Sequence, residues 1–446
     1  MNYKPYPEYK DSGVEWVGEI PKDWEISRIK FLGKTLAGGA PNTEKYDYWD
    51  GNIPWLPSGT VKNKKIFLND VNKFITELGL KNSATKEIKE NSILVALTGA
   101  TCGNIGYLTF KSTANQSVVA IENFSNCHPM FLFYYLMSQK EQILINKTGG
   151  AQAGINEGDV KNIIVTVPDI ELQAYIASFL DKKTSEIDKT IKKDKQLIEL
   201  LKEKRAALIN HVVTKGLDVD AKMKDSGVEW IGEIPEGWEI KKLKYSASIS
   251  NDKFNKKPEN LPYIGLEHIK SFTGVLIKND VEEVDSSVNI FKKGDILFGK
   301  LRPYLAKVVE APFDGVCTTE LVVFKVNNGM DNHFLFYQIL SQRFIDLVNA
   351  MTYGVKMPRA NPYQIENMLI TVPKLEEQIE IAEYLDKETN KIDLTISKIQ
   401  TNISLLQEYK KSLIHHAVTG KIDVRGYESL KQIHQKKDSK QTSSTI

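Results

Sequence analysis

The sequence predicts an α+β protein: two globular α/β units separated by two long helices that pack on each other. Three observations predict it. A helical stretch occurs twice, residues 166–219 pairing with 371–424 without a gap, and 27 of the 54 positions are identical. A shorter repeat links residues 10–30 to 224–244, with 15 of 21 positions identical. The segments between, 31–165 and 245–370, look unrelated, and each sets short β-rich runs between Gly, Asn and Pro.

The long repeat has the period of a coiled coil. Ile187, Ile191, Ile198, Leu201, Leu208 and Val212 fall at a and d spacing, and Ile392, Ile396, Ile399, Ile403, Leu406 and Leu413 form the second seam. Asp194 and Arg205 interrupt the first seam and Lys410 the second. About 40 residues of helix would measure roughly 60 Å. Pro168 and Pro373 stand where a helix tolerates proline, and Gly216 and Gly420 where helices commonly end.

The short repeat is a lead-in to each unit. It holds Trp16, Trp24, Trp230 and Trp238, four of the six tryptophans. Their expected role is to pack each unit against the base of a long helix. Strands are predicted within NSILVALTG, GNIGYLTF, GDILFGKLRPYLAKVVE and CTTELVVFKV. Helices are predicted within HPMFLFYYLMSQ and NHFLFYQILSQRFIDLV, each followed by a glycine-bearing loop. The resulting plan has five parts: 1–170, 171–221, 222–375, 376–428 and a polar, disordered tail at 429–446.

Composition narrows the class. At 446 residues, 41% hydrophobic and 26% charged, the chain is expected to be soluble and globular. No apolar run is long enough to span a bilayer, and the opening MNYKPYPEYKDSG has no signal-peptide core. Cys102, Cys127 and Cys317 are too few and too scattered for a disulfide framework or a metal site, which suggests the cytoplasm. A net charge of +2 does not by itself indicate a nucleic-acid binder.

Two divergent units alternating with two near-identical helices resemble the specificity subunit of a type I restriction–modification system. The KDSGVEW-IGEIP lead-ins, WDGNIPWLPSGTV at 49–61, YIGLEHI at 263–269 and GDILFGKLRPYLAKV at 294–308 are also similar to that family. The resemblance implies that each unit is a target-recognition domain reading one half of a split double-stranded DNA target. It implies an antiparallel coiled coil that sets the spacing, two methyltransferase (M) subunits docked on it, and optional motor–nuclease (R) subunits. It further implies a chain without catalysis or cofactor of its own, with S-adenosylmethionine, ATP and Mg on the partners. Half-sites about one helical turn apart, roughly 34–36 Å, suit such a pair of readers. Because the units differ, the target should be asymmetric.

The residues themselves offer little enzymatic chemistry. Asn361-Pro362-Tyr363 lacks the second proline of an adenine methyltransferase loop. Thr98–Gly106 is glycine-rich without the Lys-Ser/Thr of a P-loop, and reads as a hairpin turn. Asp70 with Glu87 and Lys89 only loosely resembles a nuclease set, and His415-His416 reads as a helix end.

Base readout requires polar side chains on loops, and phosphate contact requires cations. In the first unit the DNA-binding candidates are Ser58, Thr60, Lys62, Lys64 and Lys65, with Thr101, Asn104 and Gln116. In the second they are Lys300, Arg302, Tyr304 and Lys307, with His268, Lys270, Lys356 and Arg359. Two other classes compete: a self-contained nuclease or methyltransferase, and a protein-binding coiled-coil scaffold. The scaffold explains the helices but not two divergent inserts in one repeated frame.

Overall fold

The structure is a computed structural model that describes residues 3–145, 154–277 and 286–425. The expected disordered tail at 429–446 lies outside the described residues. The chain divides into two compact units, Met1–Lys192 with Asn402–Ile446, and Lys193–Thr401. The division falls inside both long helices, Ile170–Lys215 and Leu375–Val418. Each unit therefore holds the first half of one long helix and the second half of the other.

The first unit is built on a five-stranded sheet. Its order is Lys34–Ala37, Val118–Glu122, Ile93–Ala96, Ile105–Leu108, Lys64–Ile66. The central strands are buried at every position, and apolar except at Glu122 and Tyr107, because both faces are covered. Ile93, Val95, Val119 and Ile121 face a large core with the helix Pro129–Ser138 and the long helices. Leu94, Ala96, Val118 and Ala120 face a smaller core with Leu56, Val61 and Ile66. Alternation of period two thus sorts a continuous apolar run between two cores.

The second unit repeats this logic with other residues. Ala247–Ile249, Leu321–Val326, Ile296–Gly299 and Val308–Glu310 form a four-stranded sheet. Ile296, Phe298, Val322 and Phe324 face the helices, and Leu297, Leu321 and Val323 face a small second core. Thr98–Gly106 is the turn joining Ile93–Ala96 to its antiparallel neighbour Ile105–Leu108.

Each lead-in seals the base of its unit. Strand Glu25–Arg28 pairs antiparallel with Ile164–Val167, and Glu239–Lys242 with Leu369–Val372. Trp24 and Trp238 are 1% and 2% exposed, which makes them core residues. In the first unit the Thr166 hydroxyl donates to the Val418 carbonyl at 2.9 Å. In the second, Thr371 donates likewise to Val213 at 2.6 Å. Gly420 ends its helix at φ +71°, and a Cβ there would lie 2.4 Å from Pro21 Cδ, so only glycine fits.

Candidate nucleic-acid interface

In the second unit the chain reverses between strands Ile296–Gly299 and Val308–Glu310 through a loop with two left-handed residues, Arg302 and Ala306. Three loops are laced together there by backbone bonds. The Arg302 N–H donates to the Pro358 carbonyl at 2.7 Å, and the Ala360 N–H to the Lys300 carbonyl at 2.9 Å. The Phe272 N–H donates to the Ala306 carbonyl at 3.1 Å. Tyr353 and Arg359 exchange backbone bonds of 3.1 and 3.0 Å, closing a short loop around Gly354.

This lacing brings Lys300, Arg302, Tyr304, Lys356 and Arg359 onto connected loops, although 303 and 359 are far apart in sequence. Tyr304 is 45% exposed and Lys356 is exposed. Arg302 keeps a buried Nε without a hydrogen-bond partner among the described residues. Arg359 is different: its guanidinium lies 3.1 Å from Glu320, which holds it against the base of the loop. Two other candidates turn inward. His268 Nδ1 accepts from the Gly265 N–H at 3.1 Å, and the Lys307 ammonium donates to the Ile269 carbonyl. Lys270 is exposed nearby. Composition alone did not single out the loop tip, where Tyr353, Val355 and Met357 are exposed. Its signals in the sequence were the bracketing Gly354 and Pro358 and the candidate cation Lys356 between them.

In the first unit Ser58 and Thr60 are half-buried in a turn after strand Trp49–Leu56, while Lys62 and Gln116 are exposed. Lys64 is exposed but pairs with Asp70 at 2.6 Å, which lowers the carboxyl pKa. The Thr101 hydroxyl donates to the Thr98 carbonyl at 3.4 Å. Asn104 is a brace: its amide donates to the Val61 carbonyl at 3.0 Å and its oxygen accepts from Lys140 at 2.7 Å. Lys65 reaches Asp181 of the long helix at 2.7 Å and ties the sheet to it. For Asn104, Lys65, His268, Lys307 and Arg359, then, polar atoms assigned to DNA by residue type are engaged within the fold. Residues 146–153 lie outside the described residues; Gly154, which follows them, bridges Thr98, as Arg359 bridges Leu301 in the second unit.

The loose nuclease-like set is dispersed: Asp70 pairs with Lys64, Glu87 with Lys111, and Lys89 with Asn123. No cluster of metal-ligating side chains occurs among the described residues. Asn361 caps the helix Pro362–Glu366, accepting from the Tyr363 N–H at 3.0 Å.

The long helices run antiparallel within each unit. In the first, Lys410 meets both Asp188 oxygens at 2.6 Å, and Tyr175 donates to the Arg425 carbonyl at 3.0 Å. In the second, Arg205 meets Asp393 at 3.2 Å and the Phe272 carbonyl at 2.8 Å. The polar interruptions Arg205 and Lys410 therefore have acidic partners on the opposite helix. Ile187, Ile191, Ile198, Val212, Ile392, Ile403 and Leu413 are buried, and Leu201, Leu208, Ile396, Ile399 and Leu406 are half-buried. All three cysteines are buried and free.

Comparison with known proteins matches this architecture. A family model described as the type I restriction modification DNA specificity domain matches residues 21–200 and again 235–404. The MjaVIII specificity subunit of Methanocaldococcus jannaschii is 26% identical, across 91% of this chain and 94% of its own. The EcoDI specificity subunit of Escherichia coli is 25% identical, across 91% and 90%. A chain solved in a study of assembly and conformational transition of the type I R-M system superposes with a TM-score of 0.68 at 15% identity, covering 90% of this chain and 99% of that one. The HsdS subunit of Thermoanaerobacter tengcongensis gives 0.51 at 15% identity, covering 90% and 98%. At that identity both show the fold alone. With the family model covering both halves of the repeat, the chain belongs to the type I restriction–modification DNA specificity family.

Proposed function

We propose that this chain selects an asymmetric, bipartite double-stranded DNA target for a type I restriction–modification complex. One observation carries the reading. The same local scaffold recurs in both units, with the Thr98–Gly154 bridge in one and the Leu301–Arg359 bridge in the other, yet the side chains around it differ. Equivalent platforms with different surfaces read different half-sites. Regular helices of 46 and 44 residues suit a rigid spacer between the readers.

The chain acts by binding and not by catalysis. The Asn361 oxygen, in the string nearest to a methyltransferase loop, is already a helix cap. Two methyltransferase subunits assemble on it, and motor–nuclease subunits through them; S-adenosylmethionine, ATP and Mg belong to those partners. The chain's place is the cytoplasm beside the chromosome, where its DNA target lies; no helix among the described residues is long and apolar enough to cross a membrane. The scaffold reading accounts for the helices but leaves the exposed loop at 353–357 without a role.

The test is the adenine methylation pattern of the host genome with and without this gene. Loss of one asymmetric split motif on deletion supports the proposal and identifies both half-sites. An unchanged pattern, with the partner methyltransferase shown to be active, refutes it.

A further inference from the structure

Fifteen of 21 positions agree between residues 10–30 and 224–244, while the segments that follow have diverged. Packing explains part of the agreement. Val17, Ile20 and Trp24 are buried, as are Ile231, Ile234 and Trp238. It does not explain the turn.

Residues 12–18 form a closed turn above strands Tyr9–Asp11 and Glu19–Pro21. The Ser12 N–H donates to the Gly18 carbonyl at 3.1 Å, and the Asp11 carboxylate accepts from the Gly13 N–H at 3.0 Å. Gly13 and Gly18 have φ of +68° and +66°. Residues 226–232 repeat every feature. Ser226 donates to Gly232 at 3.1 Å, Asp225 accepts from Gly227 at 3.0 Å, and the glycines have φ of +70° and +72°. A Cβ on any of these four glycines would meet nothing within 4 Å. They fix the shape of a turn standing in solvent, and close packing does not require them.

The tip of that turn is Glu15-Trp16 in one unit and Glu229-Trp230 in the other. Both glutamates are exposed; Trp16 is 38% exposed and Trp230 half-buried. An open cleft lies beside each indole. In the first unit it has about 270 Å³ and is walled by Gln142, Ile143 and Asp159. In the second it has about 560 Å³ and is walled by Lys215, Arg343 and Leu347. The walls have diverged and the Glu-Trp tip has not.

We infer that the Glu-Trp turn anchors, on each unit, one copy of the same protein partner. A surface kept twice amid divergence meets the same thing twice. Asp11, Glu15 and Glu19, repeated as Asp225, Glu229 and Glu233, repel a phosphate backbone, so the occupant is protein and not DNA. Its chemistry is an apolar side chain for the indole beside a Lys or Arg for the glutamates. The inference rests on the reading that two methyltransferase subunits assemble on this chain, and it places their anchors on the lead-in turns.

The experiment is native mass spectrometry of the full chain co-expressed with its methyltransferase subunit, with a binding titration alongside. The wild-type chain carries two copies. Trp16→Ala or Glu15→Lys carries one, Trp230→Ala or Glu229→Lys carries one, and the pairwise combinations carry none, each affected site weakening at least tenfold. The glutamates are exposed, so their reversal leaves thermal unfolding unchanged and separates docking from folding. Two copies bound with unchanged affinity by Glu15→Lys with Glu229→Lys overturns the inference. A wild-type chain that carries no methyltransferase overturns the assembly reading beneath it as well, leaving DNA selection to the methylation test.

Discussion

His333 Nε2 lies 2.9 Å from the Asp386 carboxylate, and its other ring nitrogen lies 2.7 Å from Glu310. The imidazolium thus joins strand Val308–Glu310 to the second long helix. The first unit solves the same problem with other residues. Asp181 accepts from Tyr134 at 3.2 Å as Asp386 does from Tyr337 at 2.7 Å, but Lys65 completes the cluster and Met130 stands at the histidine's place. One unit is fastened by a lysine, the other by a histidine that titrates.

A pH dependence follows. The hydrogen bond to Glu310 and the charge of Asp386 hold the His333 pKa up at about 9, above its ordinary 6.5. A raised folded-state value means that the stabilisation is fully present below 6.5 and is lost as pH rises through 9. The ring is 41% exposed, so screening limits the contribution to about 1 kcal/mol. His333→Met should lower the unfolding temperature at about pH 6 and converge with wild type near about pH 10. Thermal scans at the two pH values check it.

Arg205 is 8% exposed and bonds both Asp393 and the Phe272 carbonyl. Arg205→Ala leaves those acceptors without a donor and should cost about 2–4 kcal/mol. Asp393→Ala should cost a similar amount, because it leaves the buried Arg205 guanidinium without its counter-charge. Urea unfolding of the variants, with their double mutant, measures the coupling.

Gly420→Ala should destabilise the first unit by about 2 kcal/mol or more, through both its left-handed φ and its clash with Pro21. Hydrogen exchange localises the effect. Loss of protection around Trp24 with Trp238 unchanged is the expected result.

Arg302 is a cation of the second-unit loops whose buried Nε has no hydrogen-bond partner among the described residues. Its left-handed backbone makes glycine the cleaner deletion. Arg302→Gly should reduce discrimination at the second half-site, by about 1–3 kcal/mol if it contacts a base edge. A uniform loss on all DNA, with a shallower salt dependence, would identify a phosphate contact instead. Titrations against the cognate site and a scrambled second half-site distinguish the two.

Much of this architecture was legible in the sequence because it is duplicated. Period 3.5 marked the seams, and apolar runs such as Ile93–Ala96 marked the doubly covered strands. The partition of each long helix between units was not legible, since a symmetric repeat does not say which ends meet. Arg205 and Lys410 read as interruptions because their partners, Asp393 and Asp188, lie on the other helix. The candidate site was legible only as loops. Residue type does not reveal whether Asn104 or Lys307 will find a carbonyl distant in sequence. An apolar tip such as Val355 carries no polar signal at all.

The central claim is that each unit reads its own half-site. It is tested most directly by the genome-wide methylated motif written with a chain carrying Val355→Ala, Lys356→Gln and Met357→Ala. The account predicts that the second half-site broadens or changes while the first half-site and the spacing between them stay as they were. A motif unchanged in both halves, or altered in both together, would contradict it.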